Sequence, residues 1–253
     1  MRLVRFRHGD RIATGVIEGD DVVRVLGGTF FEEPIPTGEE LPLADVLLLA
    51  PVLPSKMVCV ARNYPAHAQE LGNELPSEPM LFFKPSTATL GPGDAIPVPQ
   101  TSDRVDHEAE LAVVIGRLCR RVEEEDAPRF ILGYTCANDV TARDWQQRDG
   151  QWARAKGSDG FGPIGPWIET SLDPSDLEVT ATVNGELRQK GRTSDMQVSP
   201  AALVAYISRT ITLLPGDVVL TGTPSGVGPL VPGDAVDIRV EGIGVLHNEV
   251  VAA

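Results

Sequence analysis

Aromatic residues make up only 5% of this 253-residue chain, and its three cysteines, Cys59, Cys119 and Cys136, stand far apart. An odd number of dispersed thiols, with no C-x-x-C and no Cys/His cluster, excludes a disulfide framework and a zinc site of that type. Cationic residues are scarce: 22 Lys and Arg face 36 Asp and Glu, giving a net charge of −14. Only four of the cations are lysines, Lys56, Lys84, Lys156 and Lys190. That balance argues against nucleic acid, since it offers no excess of cations to displace phosphate counterions. It argues equally against adhesion to an anionic membrane. No apolar run approaches the 18 residues of a membrane span, and Met1 to Arg7 shows no signal-peptide core. A cytoplasmic setting is expected.

Turn formers are abundant, with 21 prolines and 25 glycines beside 42% apolar residues. The pattern predicts an α+β fold dominated by strands. Residues 1–54 read as a small N-terminal β module, with Arg11–Ile17 and Val22–Val25 joined as a hairpin through Gly19-Asp20-Asp21. A short helix is expected over Leu41–Leu49, and Pro51 and Pro54 mark a boundary. Residues 55–253 form the main domain. Strands are predicted at Met57–Ala61, Met80–Phe83, Glu108–Ile115, from Phe130 or Gly133 to Asp139, at Leu177–Val183 and at Val218–Leu220. Asn184-Gly185 signals a hairpin turn, and Ser199-Pro200 opens a helix. The acids Glu123 to Asp126 are expected to start another.

Three carboxylates carry the functional signal. Alternate residues of a strand share a face, so Glu108 and Glu110 project side by side at the start of an apolar strand. Asp139 closes a second apolar segment. Two adjacent buried carboxylates are costly without a cation, and a hard divalent ion such as Mg²⁺ takes oxygen ligands. Three carboxylates leave about three octahedral positions for water or substrate. The alternative is a solvated strand end with surface acids.

Several motifs then occur in a fixed order: Arg62-Asn63-Tyr64-x-x-His67, Phe83-Lys84-Pro85, Glu108-Ala109-Glu110-Leu111, Asn138 to Asp144, Ala155-Lys156-Gly157, Asn184 to Gln189, and Thr221-Gly222-Thr223-Pro224-x-Gly226-Val227-Gly228. In this the chain resembles the fumarylacetoacetate hydrolase superfamily, specifically its short prokaryotic-type members, over about residues 56–250. The resemblance implies a mixed β-sandwich roll, a homodimer, and Mg²⁺ or Mn²⁺ held by Glu108, Glu110 and Asp139. It implies small 2-oxo or 2,4-dioxo acids as substrates, among them acylpyruvates, oxaloacetate and oxo-dioates of aromatic catabolism.

The resemblance also assigns roles. His67 and Glu70, three residues apart on one helical face, correspond to a dyad that activates water, the alternative being a surface contact. Lys156 is the cation for a developing oxyanion, against an ordinary loop charge. Gln146 corresponds to a glutamine that contacts ligand or water. Thr223 offers its backbone N–H and hydroxyl to the substrate carboxylate, with a purely structural turn as the alternative. Arg62 and Tyr64 are candidates for the ligand's far end, against packing and a surface ion pair. His107 faces away from the ligand set, and His8 and His247 read as structural. The leading expectation is a Mg²⁺-dependent hydrolase or lyase cleaving a C–C bond in an acylpyruvate-like acid. Decarboxylation or enol–keto isomerisation of an oxo-dioate is the near alternative, and a non-catalytic metal-binding protein the distant one.

Overall fold

The structure, a computed structural model, describes residues 1–32 and 35–253. A meander opens the chain: β1 (Arg2–His8), β2 (Arg11–Glu18), β3 (Val22–Gly27) and β4 (Ile35–Pro42). The expected hairpin is present, with Ile17 opposite Val23. The helix expected over Leu41–Leu49 is not. Leu41 and Pro42 pair with Val23 and Val22 at the end of β4. Leu43–Asp45 makes a single 3₁₀ turn, and β5 (Leu47–Leu49) pairs with β1. The leucines that suggested a helical face instead pack over Val4, Phe6, Val23 and Val25. Strand pairing supplied by the rest of the fold outweighs weak local helix propensity.

The chain continues through β6 (Lys56–Ala61), α1 (Pro65–Glu70), β7 (Met80–Pro85), β8 (Thr89–Leu90), β9 (Ile96–Val98), β10 (Val105–His107), β11 (Ala109–Ile115) and β12 (Ile131–Asn138). Then come β13 (Thr141–Ala142), α2 (Arg143–Arg148), α3 (Ala153–Gly157) and β14 (Gly162–Glu169). The helix start expected at Glu123 is a turn leading into a short 3₁₀ segment, Ala127–Phe130, that carries Pro128. The last part holds β15 (Glu178–Val183), β16 (Glu186–Arg192), α4 (Pro200–Ser208), β17 (Val218–Leu220), β18 (Gly228–Leu230), β19 (Ala235–Val240) and β20 (Gly244–Ala252). Asn184 and Gly185 both adopt positive φ between β15 and β16, as a type I′ hairpin requires. Ser199 caps α4 by accepting a hydrogen bond from the Ala202 N–H at 3.2 Å.

A twelve-stranded mixed sheet runs β4-β3-β2-β1-β14-β12-β11-β17-β6-β7, with β5 and β8 attached to β1 and β14. The N-terminal meander therefore extends the same sheet that carries β11 and β12. A five-stranded sheet, β16-β15-β19-β20-β9, packs against it, and a small sheet, β13-β10-β18, lies beside them. Every residue of β11 is buried. Its Leu111, Val113 and Ile115 join the core shared with Val179, Ala181, Val236 and Ile238 of the second sheet. Ala112 and Val114 face the other way, onto Met57, Cys59 and Ile168. This two-sided, strand-dominated architecture is the β-rich α+β roll expected. No helix among the described residues is long and apolar enough to cross a membrane.

Candidate functional site

Strand alternation puts Glu108 and Glu110 on the same side of the sheet as Ala112 and Val114. Glu108 itself lies in the one-residue break between β10 and β11, where its N–H donates to Asn138 Oδ1 at 2.9 Å. Register brings in the third acid. Ala109 pairs with Asn138, so Asp139 falls opposite Glu108 and its N–H donates to the Glu108 carbonyl at 2.9 Å. One oxygen from each of Glu108, Glu110 and Asp139 lies within 4.8 Å of the others, and all three residues are buried.

Cations surround two of the three. Lys156 Nζ donates to Glu108 Oε2 at 2.9 Å and to Asp139 Oδ2 at 2.5 Å. Its ammonium also sits 4.8 Å from the Phe82 ring centroid. Arg143 Nη2 lies 2.6 Å from Glu108 Oε1, and Lys84 Nζ lies 2.7 Å from Asp139 Oδ1. Asp139 Oδ1 and Arg143 Nη2 are buried without a hydrogen-bond partner and are held by charge alone. Glu110 has a single donor, the Gly222 N–H at 2.7 Å, and no cation within ion-pair distance among the described residues. Gly222 adopts φ +98°, and a Cβ there would stand 2.8 Å from Asn63 Cβ; glycine is what lets this N–H approach.

The electrostatics follow. Burial opposes the charge on Glu108, but Lys156 and Arg143 overcome it and hold the carboxyl well below its usual range. Burial pushes Glu110 well above that range, and the negative charges of Asp139 and Glu108 push it further. Burial, with a contribution from the Glu108 charge, raises Asp139 too, against the lowering by Lys156 and Lys84. Burial disfavours the Lys156 ammonium, yet Asp139 and Glu108 keep it firmly protonated. Glu110 is thus a buried carboxylate short of a positive partner. That shortage, together with an all-oxygen donor set, fits a hard divalent cation.

The three acids face a cavity of about 290 Å³, which Arg62, His67, Gln146, Lys156 and Thr223 also line. Two expected residues lie outside that lining. Glu70 stands behind His67, with Oε2 3.2 Å from His67 Nδ1 and Oε1 accepting the Gly226 N–H at 2.9 Å. Tyr64 is 2% exposed and its hydroxyl has no partner; it packs at the N-terminus of α1. Gln146 accepts from Arg143 Nη1 at 3.0 Å. The Thr223 hydroxyl donates to the Ala109 carbonyl and accepts from Gln189 Nε2, both at 2.8 Å. Its proton is therefore committed to that carbonyl. His107 Nδ1–H donates to Gln189 Oε1, 2.8 Å away, and the residue is not part of the acidic cluster. His8 is exposed, and His247 pairs on the surface with Asp237.

Sequence reasoning gave no role to Lys84, Arg143, Asp106 or Gln189. Lys84 is fully buried and donates to the Val140, Lys156 and Phe161 carbonyls at 3.0, 2.5 and 2.6 Å. A lone lysine inside the apolar strand Met-Leu-Phe-Phe-Lys-Pro was the available signal, since lysines are almost never fully buried unless paired. Asp106 anchors Arg143 Nε at 2.9 Å and Arg104 Nε at 2.8 Å. Gln189 ties β16 to the site: its Oε1 accepts the Ala109 N–H at 2.9 Å, and its Nε2 donates to the Pro224 carbonyl at 2.8 Å.

Comparison with known proteins agrees with this geometry. The family description "Fumarylacetoacetate (FAA) hydrolase C-terminal" matches residues 56–251, and "Rv2993c-like, N-terminal" matches residues 1–51. The crystal structure of 5-carboxymethyl-2-hydroxymuconate delta-isomerase from Mycobacterium smegmatis is 52% identical, with a TM-score of 0.95 and full coverage of both chains. Maleylpyruvate hydrolase from Sphingobium sp. SYK-6, in complex with manganese(II) and pyruvate, is 33% identical, with a TM-score of 0.82 and full coverage of both. The mitochondrial oxaloacetate tautomerase FAHD2A of Homo sapiens is 42% identical over 83% of this chain and 71% of its own length. Ordered motifs, a three-carboxylate cavity and a match across most of the sequence lead to one conclusion: the chain belongs to the fumarylacetoacetate hydrolase family.

Proposed function

We propose that this protein is a Mg²⁺- or Mn²⁺-dependent enzyme that cleaves a C–C bond in a small 2,4-dioxo acid of acylpyruvate type. Glu108, Glu110 and Asp139 would hold the ion, which supplies Lewis-acid polarisation of a ketone or enol oxygen next to a carboxylate. The observation that carries the hydrolytic reading is the His67–Glu70 pair at the cavity wall. With Glu70 accepting at Nδ1, the proton sits on that nitrogen and the Nε2 lone pair is free to take a proton from water. Glu70, fixed by the Gly226 N–H, orients the ring and favours the imidazolium that results. Lys156 spends two N–H groups on Glu108 and Asp139 and has a third for the oxyanion that develops as the bond breaks. Arg143 fixes Glu108 and Gln146, while the Thr223 N–H is the donor for the substrate carboxylate.

Charge balance supports an anionic substrate. Within the cluster, Glu108, Glu110, Asp139 and Asp106 face Lys84, Lys156, Arg143 and Arg104. A divalent ion tips this near-neutral group positive, in a chain whose net charge is −14. A second reading, enol–keto isomerisation or decarboxylation of an oxo-dioate, is favoured by the likeness to the M. smegmatis isomerase and the human tautomerase. These reactions need the polarised oxygen and Lys156 but no activated water.

His67→Ala separates the two. Hydrolysis of an acylpyruvate is expected to fall by about 10²–10⁴-fold, the range for loss of a general base. Decarboxylation or tautomerisation of oxaloacetate is expected to fall less, and metal affinity to stay near that of the parent. Parallel assays of pyruvate release, CO₂ release and enol absorbance read the ratio; an equal fall in both activities would remove the support for water activation.

The proposal includes a homodimer. Edge strand β7 leaves Phe83 48% exposed beside an apolar groove formed with Met80, Leu81 and Trp152, and an open apolar edge invites a second copy. Sedimentation equilibrium at micromolar concentration is expected to return twice the 27.1 kDa chain mass; a purely monomeric species would contradict it.

A further inference from the structure

Strand β17 leaves β11 partway along. Regular pairing ends where Ala112 meets Leu220, and the chain beyond turns aside through Gly222 and Thr223 to the cavity. Ala109, between the two proposed ligands Glu108 and Glu110, therefore has no β17 residue opposite it. It is nevertheless fully buried, where an N–H or C=O without a partner is costly. Side chains fill the gap. The Ala109 N–H donates to Gln189 Oε1 at 2.9 Å, and the Ala109 carbonyl accepts from the Thr223 hydroxyl at 2.8 Å. Gln189 Nε2 donates to that same hydroxyl oxygen at 2.8 Å, which closes a ring of hydrogen bonds.

The ring has one arrangement. Gln189 Nε2 also donates to the Pro224 carbonyl, an acceptor only, and Oε1 also accepts from His107 Nδ1–H. A reversed amide would set N–H against N–H at Ala109 and oxygen against oxygen at Pro224. The buried carboxamide thus serves as a peptide unit supplied by β16. The same strand grips the loop that follows Thr223. A Cβ on Gly226 would stand 2.2 Å from the Arg188 carbonyl oxygen, so β16 and this loop meet backbone to backbone. The Gly226 N–H in turn fixes Glu70 Oε1 at 2.9 Å. One strand, remote in sequence, thereby supports the ligand strand, Thr223 and the carboxylate behind His67.

We propose that Gln189 is a positioning residue for the metal centre: by replacing the missing strand beside Ala109, it holds the Glu108 and Glu110 carboxylates at the spacing one ion requires. The inference rests on the functional reading above, which seats a divalent ion on Glu108, Glu110 and Asp139. Alternation alone puts the two glutamates on one face. It does not hold them there, because Glu108 lies in the break between β10 and β11. Ala109 is the one residue between them, so the direction of its peptide groups sets the angle between the two side chains. Groups that orient metal ligands without touching the ion contribute about 10- to 100-fold in affinity. The motif from Asn184 to Gln189, a tight hairpin leading to a buried amide, finds its role here.

Titration of the metal-free protein with Mn²⁺, the free ion being read by electron paramagnetic resonance, gives a dissociation constant without turnover. Gln189→Met nearly keeps the volume and removes the amide; it is expected to weaken Mn²⁺ binding by about 10- to 100-fold. Thr223→Val opens the same ring from its other side and is expected to weaken binding too. The double variant should lose no more than Gln189→Met alone, because the groups act as a unit. Asn248→Leu is the control for stability. That buried amide donates to the Gly91 and Asp94 carbonyls, away from the cavity lining. Its loss should lower the unfolding midpoint and leave Mn²⁺ affinity at the parent value. Parent affinity in Gln189→Met overturns the proposal, as does an equal loss of affinity in Asn248→Leu. If Gln189→Met does not fold, Thr223→Val decides, and unchanged affinity there overturns it. A parent that binds no Mn²⁺ refutes the functional reading itself and the proposal with it, a result distinct from all of these.

Discussion

Lys84→Met is expected to lower the unfolding free energy by about 3–5 kcal/mol, the range for removing one partner of a buried ion pair. The variant removes one of the two cations beside the Asp139 carboxylate, leaving Lys156 as the other, and strips three carbonyls, those of Val140, Lys156 and Phe161, of a shared donor. These carbonyls belong to three separate segments, so the ammonium ties together the end of β12, helix α3 and the turn before β14. At this chain length the midpoint of thermal unfolding should drop by roughly 6–20 °C. Saturating Mn²⁺ should restore part of the loss, because it brings positive charge back to Asp139. Urea denaturation with chelator and then with metal gives both numbers. A loss below about 1 kcal/mol, in the range of ordinary surface changes, would mean that the lysine is not what satisfies these groups.

Glu110→Gln should separate stability from metal binding. The amide keeps an oxygen for the Gly222 N–H but removes a charge buried beside Asp139 and Glu108. The metal-free variant is therefore expected to be no less stable than the metal-free parent. With metal the order reverses. At 100 times the dissociation constant, the parent gains about 2.7 kcal/mol from ligand linkage, and the variant is expected to gain little at that same concentration. Denaturant titrations of both proteins, with and without Mn²⁺, read the difference; an undiminished gain in Glu110→Gln would place the ion elsewhere.

Much of this site is legible in the sequence because its key step is local. The alternation of Glu108 and Glu110 along a strand requires no knowledge of the fold, and the i, i+3 spacing of His67 and Glu70 on α1 is equally local. The hairpin at Asn184-Gly185 and the cap at Ser199 follow from turn and cap chemistry. The cations around the acids could not be read this way. Lys84 meets Asp139 through the pairing of β7 with β6 and the long path from there to β12. Arg143 reaches Asp106 only because β13 pairs with β10. Gln189 acts 80 residues away from Ala109. Partners such as these are set by sheet register, which single-residue patterns do not encode. The missed segment at Leu41–Leu49 has the same origin, since its leucines suit a helical face until β1 and β3 provide a sheet for them. Thr223 shows a subtler limit: its place at the cavity was expected, but the packing of β11 beside it commits its hydroxyl proton to the Ala109 carbonyl.

The central claim is that three carboxylates hold a divalent ion at which a 2-oxo acid is transformed. Its most direct test is turnover by the parent protein, stripped with chelator and then reconstituted with Mg²⁺ or Mn²⁺. The substrates are a panel of 2-oxo and 2,4-dioxo acids, with pyruvate, CO₂ and enol absorbance followed separately. Turnover of at least one acid that appears on adding metal and vanishes again with excess chelator is the predicted result; equal turnover in the stripped and reconstituted protein would contradict it.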